Sequence, residues 1–204
     1  AVTAAKINND IISGSTELSS EPADTDEFLV SDAGTLKRID YSLIKATSGL
    51  AVADMWRITS NYQFGTGDNN VTNNWEQIDT SGQNTVGSDM TESSGVFTFP
   101  STGVWLVMAN AGFILNSNSR YIGIKISATF NGGSSYTKIA ERYTHINRPG
   151  SSNTYAAATV STYINVGNTS NDKVRFQVES EDASTNLLGN SSFNSSEFLF
   201  IKLN

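Results

Sequence analysis

Residues 95–110, GVFTFPSTGVWLVMAN, constrain the fold of this chain more than any other stretch. Phe97 and Phe99 alternate with Val96 and Thr98. Pro100 opens a turn that ends at Gly103, and an unbroken apolar run fills residues 104–109. Alternation marks a strand with one buried face, whereas an unbroken apolar run marks a strand buried on both. In a two-sheet sandwich only one face of each sheet looks inward. The other face of this strand therefore needs a second partner. In a chain with almost no helical pattern, that partner is expected to be another subunit. The expectation is an assembling β-sandwich rather than a solitary enzyme.

The same reading extends along the chain. Ile122, Ile124, Ile126, Ala128 and Phe130 share one strand face, with Tyr121, Gly123, Lys125, Ser127 and Thr129 on the other. Asn131, Gly132 and Gly133 make a turn. Strands are expected over 55–60, 74–78, 139–144 and 155–166, with a loop over 167–172. Val174, Phe176 and Val178 then point inward, and Lys173, Arg175, Gln177 and Glu179 outward. Phe198, Leu199, Phe200, Ile201 and Leu203 form a last strand that is again apolar on both faces. About eight short strands with Gly, Asn and Ser turns predict an all-β fold, an antiparallel sandwich or jelly roll. Phe97, Phe99, Trp105, Val107, Phe176, Phe198 and Phe200 are the candidate core and subunit-packing residues.

Composition narrows the function. At 204 residues the chain holds one large β domain plus an appendage. Cysteine is absent, which excludes disulfides, thiolate nucleophiles and zinc–thiolate sites. A net charge of −7 repels phosphate backbones and argues against nucleic-acid binding. No run of ~18 apolar residues spans a membrane as a helix. The first ten residues, AVTAAKINND, have no apolar signal-peptide core, so synthesis in a cytoplasm followed by assembly is expected. Ala1 fits both removal of an initiator Met and an excised fragment.

Texture divides the chain into an arm, residues 1–50, and a strand-dense head, residues 51–204. In the arm, residues 21–26 (EPADTD) form an acidic turn. Phe28 and Val30 then begin a hairpin, residues 31–34 carry its turn, and Leu36 and Ile39 resume its apolar positions. Asp40 is placed to cap a short helix, YSLIKA, whose Leu43 and Ile44 would pack on the hairpin. A unit this small, below ~40 residues, needs a neighbouring subunit or a larger body to order it.

Residues 56–204 resemble the complement one-q globular head and the tumour necrosis factor-like jelly roll. GVFTFPSTGVWLV is similar to the family signature G-x-F-x-x-P-x-x-G-x-Y, with Trp105 at the Tyr position. NTSNDKVRFQV (168–178) resembles the Gly-Asp-x-Val turn, with Asn171 for Gly. SSFNSSEFLFIKL (191–203) resembles the terminal S-x-F-x-G-x-x-L strand, with Ser196 near the expected Gly. This resemblance implies a ten-strand jelly roll, a homotrimer, and binding at loops or subunit edges rather than catalysis. DEFLVSDAGTLKRIDYSLIK (26–45) resembles a short module of bacteriophage and marine viral virion proteins that precedes a jelly roll or fibre head. Its candidate attachment residues are Phe28, Val30, Leu36, Lys37, Arg38 and Ile39. Together these imply a non-enzymatic, trimeric virion protein, exposed on the particle as a capsid decoration or fibre and contacting capsid, tail or host surface. A secreted lectin-like trimer of the same class is the alternative.

Other candidate chemistry is sparser. His145 with Glu141 and Ser151 or Ser152 suggests a Ser–His–acid site, yet no nucleophile elbow or oxyanion-hole pattern accompanies it. The bland reading is a strand-end histidine. Asp68, Asn69, Asn70 and Asn73 form an oxygen-rich loop suited to calcium or to an ordinary turn. Sequons at Asn70, Asn168, Asn190 and Asn194 are read as turns. Trp75, Tyr62, Tyr143 and Tyr155 are aromatics near loops, either stacking on a host glycan or ordinarily half-buried. Lys37 and Arg38 either dock on an acidic capsid surface or form a solvated strand end. No paired carboxylates mark a polysaccharide-cleaving enzyme.

Overall fold

The computed structural model describes residues 15–45 and 50–203. The chain divides into two compact units, Ala1–Ser48 and Gly49–Asn204. Residues 1–14 of the expected arm, and Ala46 at the end of its expected helix, lie outside the described residues.

The first unit holds an antiparallel hairpin of β1 (Glu27–Asp32) and β2 (Thr35–Asp40). Its turn is shorter than the predicted 31–34. Ser31 and Asp32 stay in the strand, and Ala33 (φ 50°) with Gly34 (φ 85°) alone reverse the chain. Two successive residues with positive φ match the twist of the flanking strands, so no longer loop is needed. Phe28 faces Ile39, Val30 faces Lys37, and the Tyr41 ring lies 6.0 Å from Phe28. Leu36 does not join Ile39, because residues three apart on a strand point to opposite faces. It sits with Leu29 on the other side, and the two are 75% and 79% exposed.

The expected helix is a single 3-10 turn, Tyr41–Leu43. Asp40 makes no side-chain cap bond, and Leu43 and Ile44 are exposed rather than packed on the hairpin. Carbonyls from before the hairpin take the place of the cap. The Tyr41 and Ser42 amides, which an α-helix would leave free for a cap, donate to the Asp26 and Asp24 carbonyls at 2.7 and 3.2 Å.

The second unit contains β3 (Ala53–Ile58), β4 (Ser60–Gln63), β5 (Gly67–Asn70), β6 (Trp75–Gln77), β7 (Thr91–Ser93), β8 (Val96–Thr98), β9 (Gly103–Leu115), β10 (Ser119–Phe130), β11 (Thr137–Ile146), β12 (Thr154–Val166), β13 (Asp172–Ser180), β14 (Asn186–Asn190) and β15 (Glu197–Lys202). They form an antiparallel β-sandwich. The larger sheet runs β4-β14-β9-β15-β3-β6, with β12 on the far side of β9; the smaller runs β11-β10-β13-β8-β7, with β5 also on β13. Strands from the two ends of the unit pair in nested order: β3 with β15, β8 with β13, β9 with β12, β10 with β11. Strand β9 is the spine of its sheet. One edge is matched by β12 along its full length, and β15 and β14 share the other end to end. The strands the sequence does not announce, β4, β5, β7 and β14, are short, three to five residues each. At that length too few side chains remain for a periodic signal.

The core lies between the two inner faces. Trp105, Val107, Ala109, Ala111, Phe113 and Leu115 alternate inward along β9, against Ile122, Ile124 and Ile126 of β10 and Val174, Phe176 and Val178 of β13. An aromatic cluster knits the two layers, with Phe176–Phe198 centroids 4.6 Å apart, Trp75–Phe198 4.5 Å and Trp75–Phe97 4.9 Å. Phe130, expected inside, is exposed at the end of β10. Among the described residues no helix is long and apolar enough to cross a membrane.

Candidate functional site

The outer face of the larger sheet carries the outward half of the two doubly apolar strands, β9 and β15. Strand register lines up two rows across it. Met55 on β3 faces Leu199 on β15, which faces Met108 on β9. Ala53, Ile201 and Leu106 form the next row, and Tyr163 on β12 continues it at 71% exposure. None of these is covered by the sandwich core, since each alternates with an inward neighbour. A polar rim flanks the rows. Arg57 donates to Glu76 and Asp79, each at 2.6 Å, and to Thr80 Oγ1 at 2.9 Å. Beside it Glu197 accepts from Asn110 at 2.8 Å and Asn194 at 3.2 Å. The Asn194 Oδ1 atom in this rim is buried without a hydrogen-bond partner. An apolar centre flanked by a polar rim is the anatomy of a protein–protein contact.

The smaller sheet's outer face is built differently. Lys125 projects from its middle yet is only 3% exposed, because Asp68 on β5 and Glu179 on β13 both pair with its ammonium. Burial opposes that charge, and the hydrogen bonds to the two carboxylates outweigh it, so its pKa is raised. The Tyr143 ring lies flat beside it, 5.6 Å from Nζ. Gly123 makes this possible: a Cβ there would stand 2.6 Å from the ring. The Tyr143 hydroxyl lies 2.7 Å from Glu179 and 3.0 Å from Glu141. Burial and the bond to Glu179 push its pKa up to about 12. Ser127 bonds Gln177, and the Tyr136 ring covers Arg175 at 4.0 Å.

No protein-family model and no curated protein matches the chain.

The seven predicted packing residues, Phe97, Phe99, Trp105, Val107, Phe176, Phe198 and Phe200, are all at most 1% exposed within the single chain. They form its own core. The residues left for a neighbour are their outward alternates, Leu106, Met108, Leu199 and Ile201, which the period of two identifies once the inward set is known. The arm residues Phe28, Val30, Leu36, Lys37, Arg38 and Ile39 all lie on the hairpin. Lys37 pairs with Asp32, and Arg38 lies 2.5 Å from Glu27, so the basic pair is neutralised within the arm.

The oxygen-rich loop does not converge on a cation. Asp68 is engaged by Lys125, and the Asn69 side chain bonds the Gly65 and Gly67 carbonyls at 2.9 and 2.8 Å. Asp68 and Asn69 are successive strand residues and point to opposite faces. Among the described residues no group of three or more His, Asp or Glu is arranged for a metal. His145 is exposed on β11, and the Glu141 carboxylate is held by Lys138 and Tyr143. Trp75 belongs to the core, its indole donating to the Val71 carbonyl at 3.0 Å. Asn168 and Asn190 cap their own turns by accepting from Ser170 and Ser192.

Sequence reasoning passed over Asp54. It is 1% exposed and accepts from Trp56 Nε1, Gln77 Nε2, Thr85 Oγ1 and the Met90 amide at 2.8–3.0 Å, stitching residues 85–90 to β3. Most of these donors are distant in sequence, so no local signal announces it. Alternation places Lys125 on the outward face but does not announce its burial; the outward Gly123 beside it is the available clue, since a strand glycine often marks close approach of another group.

Proposed function

We propose that the protein is a non-enzymatic virion structural protein, a homotrimer whose jelly-roll head projects from a particle and whose N-terminal arm attaches it. The carrying observation is the apolar outer face of the larger sheet, rowed through Met55, Leu199, Met108, Leu106 and Ile201. Packing such a face between subunits buries the ~2,000 Å² or more typical of obligate assemblies. The nested strand pairing supports the jelly roll: a long antiparallel hairpin rolled up gives first-to-last, second-to-penultimate pairs. The arm hairpin exposes Leu29 and Leu36 on one face and bears Phe28, Val30 and Ile39 on the other, which suits a segment covered by another body. Its partners on this reading are itself, capsid or tail proteins, and the host surface. Its location is the virion surface, after synthesis in the host cytoplasm.

A secreted lectin-like trimer is the second reading, favoured by the aromatic depression lined by Tyr121, Tyr143 and Glu179 on the smaller sheet. Antibodies against residues 51–204 applied to purified particles from the source culture separate the two. Label on heads or fibres is the expected result. Protein found only outside intact, unlabelled particles would sink the virion reading.

A further inference from the structure

The geometry points to a binding groove for an uncharged oligosaccharide on the outer face of the smaller sheet, along β10 and β11. It deepens the recognition half of the reading above, because a decoration protein needs only a fitted base, whereas attachment needs a selective surface.

Two depressions lie along this line. One, of about 280 Å³, is lined by Tyr121, Tyr143 and Glu179. The other, of about 340 Å³, includes Arg120 and His145 in its lining. His145, in the lining of the second, shares the strand face of Tyr143, two residues on, which sets the two depressions side by side along β11. Residues 119–125 of β10 alone span roughly 20 Å at ~3.3 Å per residue, room for several sugar rings in a row.

The floor is aromatic and already rigid. The Tyr121 and Tyr143 rings stand 6.1 Å apart at 87°. Tyr143 is 46% exposed while its buried side rests on Gly123 and its hydroxyl is tethered to Glu179 and Glu141. A pinned ring offers the apolar face of a sugar a stacking surface without a further loss of rotamer freedom on binding. Carboxylates at the rim accept hydrogen bonds from sugar hydroxyls, the small set of fixed polar groups that orients a ligand.

Charge selects against acidic glycans. The nearby cations are already committed: Lys125 to Asp68 and Glu179, Lys138 to Glu141, and Arg120 to Glu181. Arg142, next to Tyr143, donates only to the Glu141 backbone carbonyl, but alternation turns it to the other face of β11. With the chain at −7 overall, the groove's own face offers an acidic sugar only cations that carboxylates already hold.

The test uses the full chain on an array of neutral gluco-, galacto- and manno-oligosaccharides printed beside their sialylated and uronate-bearing counterparts. Binding to neutral chains is expected, with affinity falling roughly ten-fold or more in Tyr143→Ala and in Tyr121→Ala. Circular dichroism confirms that each variant is folded, and Tyr143→Phe, which keeps the ring, retains most binding. Saturation transfer from aromatic protons to the sugar ring protons is expected in the wild type and lost in Tyr143→Ala. No neutral binding, binding to acidic chains only, or binding that survives both alanine variants overturns the groove. None of these readouts involves a particle, so a negative particle label leaves the groove standing, and a failed array leaves the virion reading standing.

Discussion

The two outer faces of the sandwich begin from the same alternating pattern and end with opposite surfaces. On the larger sheet the outward positions are Met55, Leu106, Met108, Leu199 and Ile201, with charge confined to the rim at Arg57 and Glu197. On the smaller sheet they include Lys125, Ser127 and Glu179, which the chain covers itself with salt bridges, a side-chain hydrogen bond and the half-exposed Tyr143 ring. Burial is thus not evidence of a subunit contact. Long polar side chains can lie down and satisfy one another, so that Lys125 is buried in an isolated chain. Leucine and methionine have no such option and stay half-open until another apolar surface arrives. What sets the larger sheet apart is an apolar outer face, not a buried one.

The largest expected effect tests what the two faces share. Trp105→Ala removes an indole with no exposed surface and should cost ~3–5 kcal/mol in denaturant unfolding, because the cavity lies between both sheets. A small loss would contradict the layered core. Next, Leu199→Asp sets an unpaired charge between Met55 and Met108 and should cost ~3 kcal/mol per subunit contact, giving a folded monomer by sedimentation. Asn70→Asp, on the exposed edge of the smaller sheet, should leave assembly unchanged. Equal effects from both would erase the distinction between the faces.

Smaller effects sharpen it. Lys125→Met leaves Glu179 without its cation and should lower stability by ~1–3 kcal/mol in a thermal melt without altering oligomeric size. The pH dependence has a definite sign. Tyr143 is raised from 10.0 to about 12 and Lys125 is raised from 10.5, so between those values the folded chain binds more protons than the unfolded one. Their stabilisation is complete below pH ~10 and is lost as pH rises through the folded values. For the half-exposed Tyr143 the share is on the order of 1 kcal/mol after solvent screening. Tyr143→Phe should flatten that alkaline loss, read from unfolding midpoints across the range.

Much of the sandwich is legible in the sequence because burial between sheets enforces a period of two. Val174, Phe176 and Val178, and Ile122, Ile124 and Ile126, fall inward as their spacing requires. The doubly apolar strands also point correctly to an outer apolar face, although the aromatic residues singled out there prove to be the inward half. What is not legible depends on distant groups. Strand β5 is GDNN, with no apolar residue, and exists because its backbone pairs with β13. Lys125 is buried by a carboxylate 57 residues away. The Asp40 cap is not made, and the Asp24 and Asp26 carbonyls take the first two amides instead, a contact no periodicity encodes.

Native mass spectrometry of the full 21.9 kDa chain, beside Leu199→Asp, tests the central claim most directly. The account predicts three copies per particle for the wild type and a folded single copy for the variant. A wild type that stays a folded monomer at micromolar concentration, with Leu106, Met108 and Leu199 open to water, would contradict it.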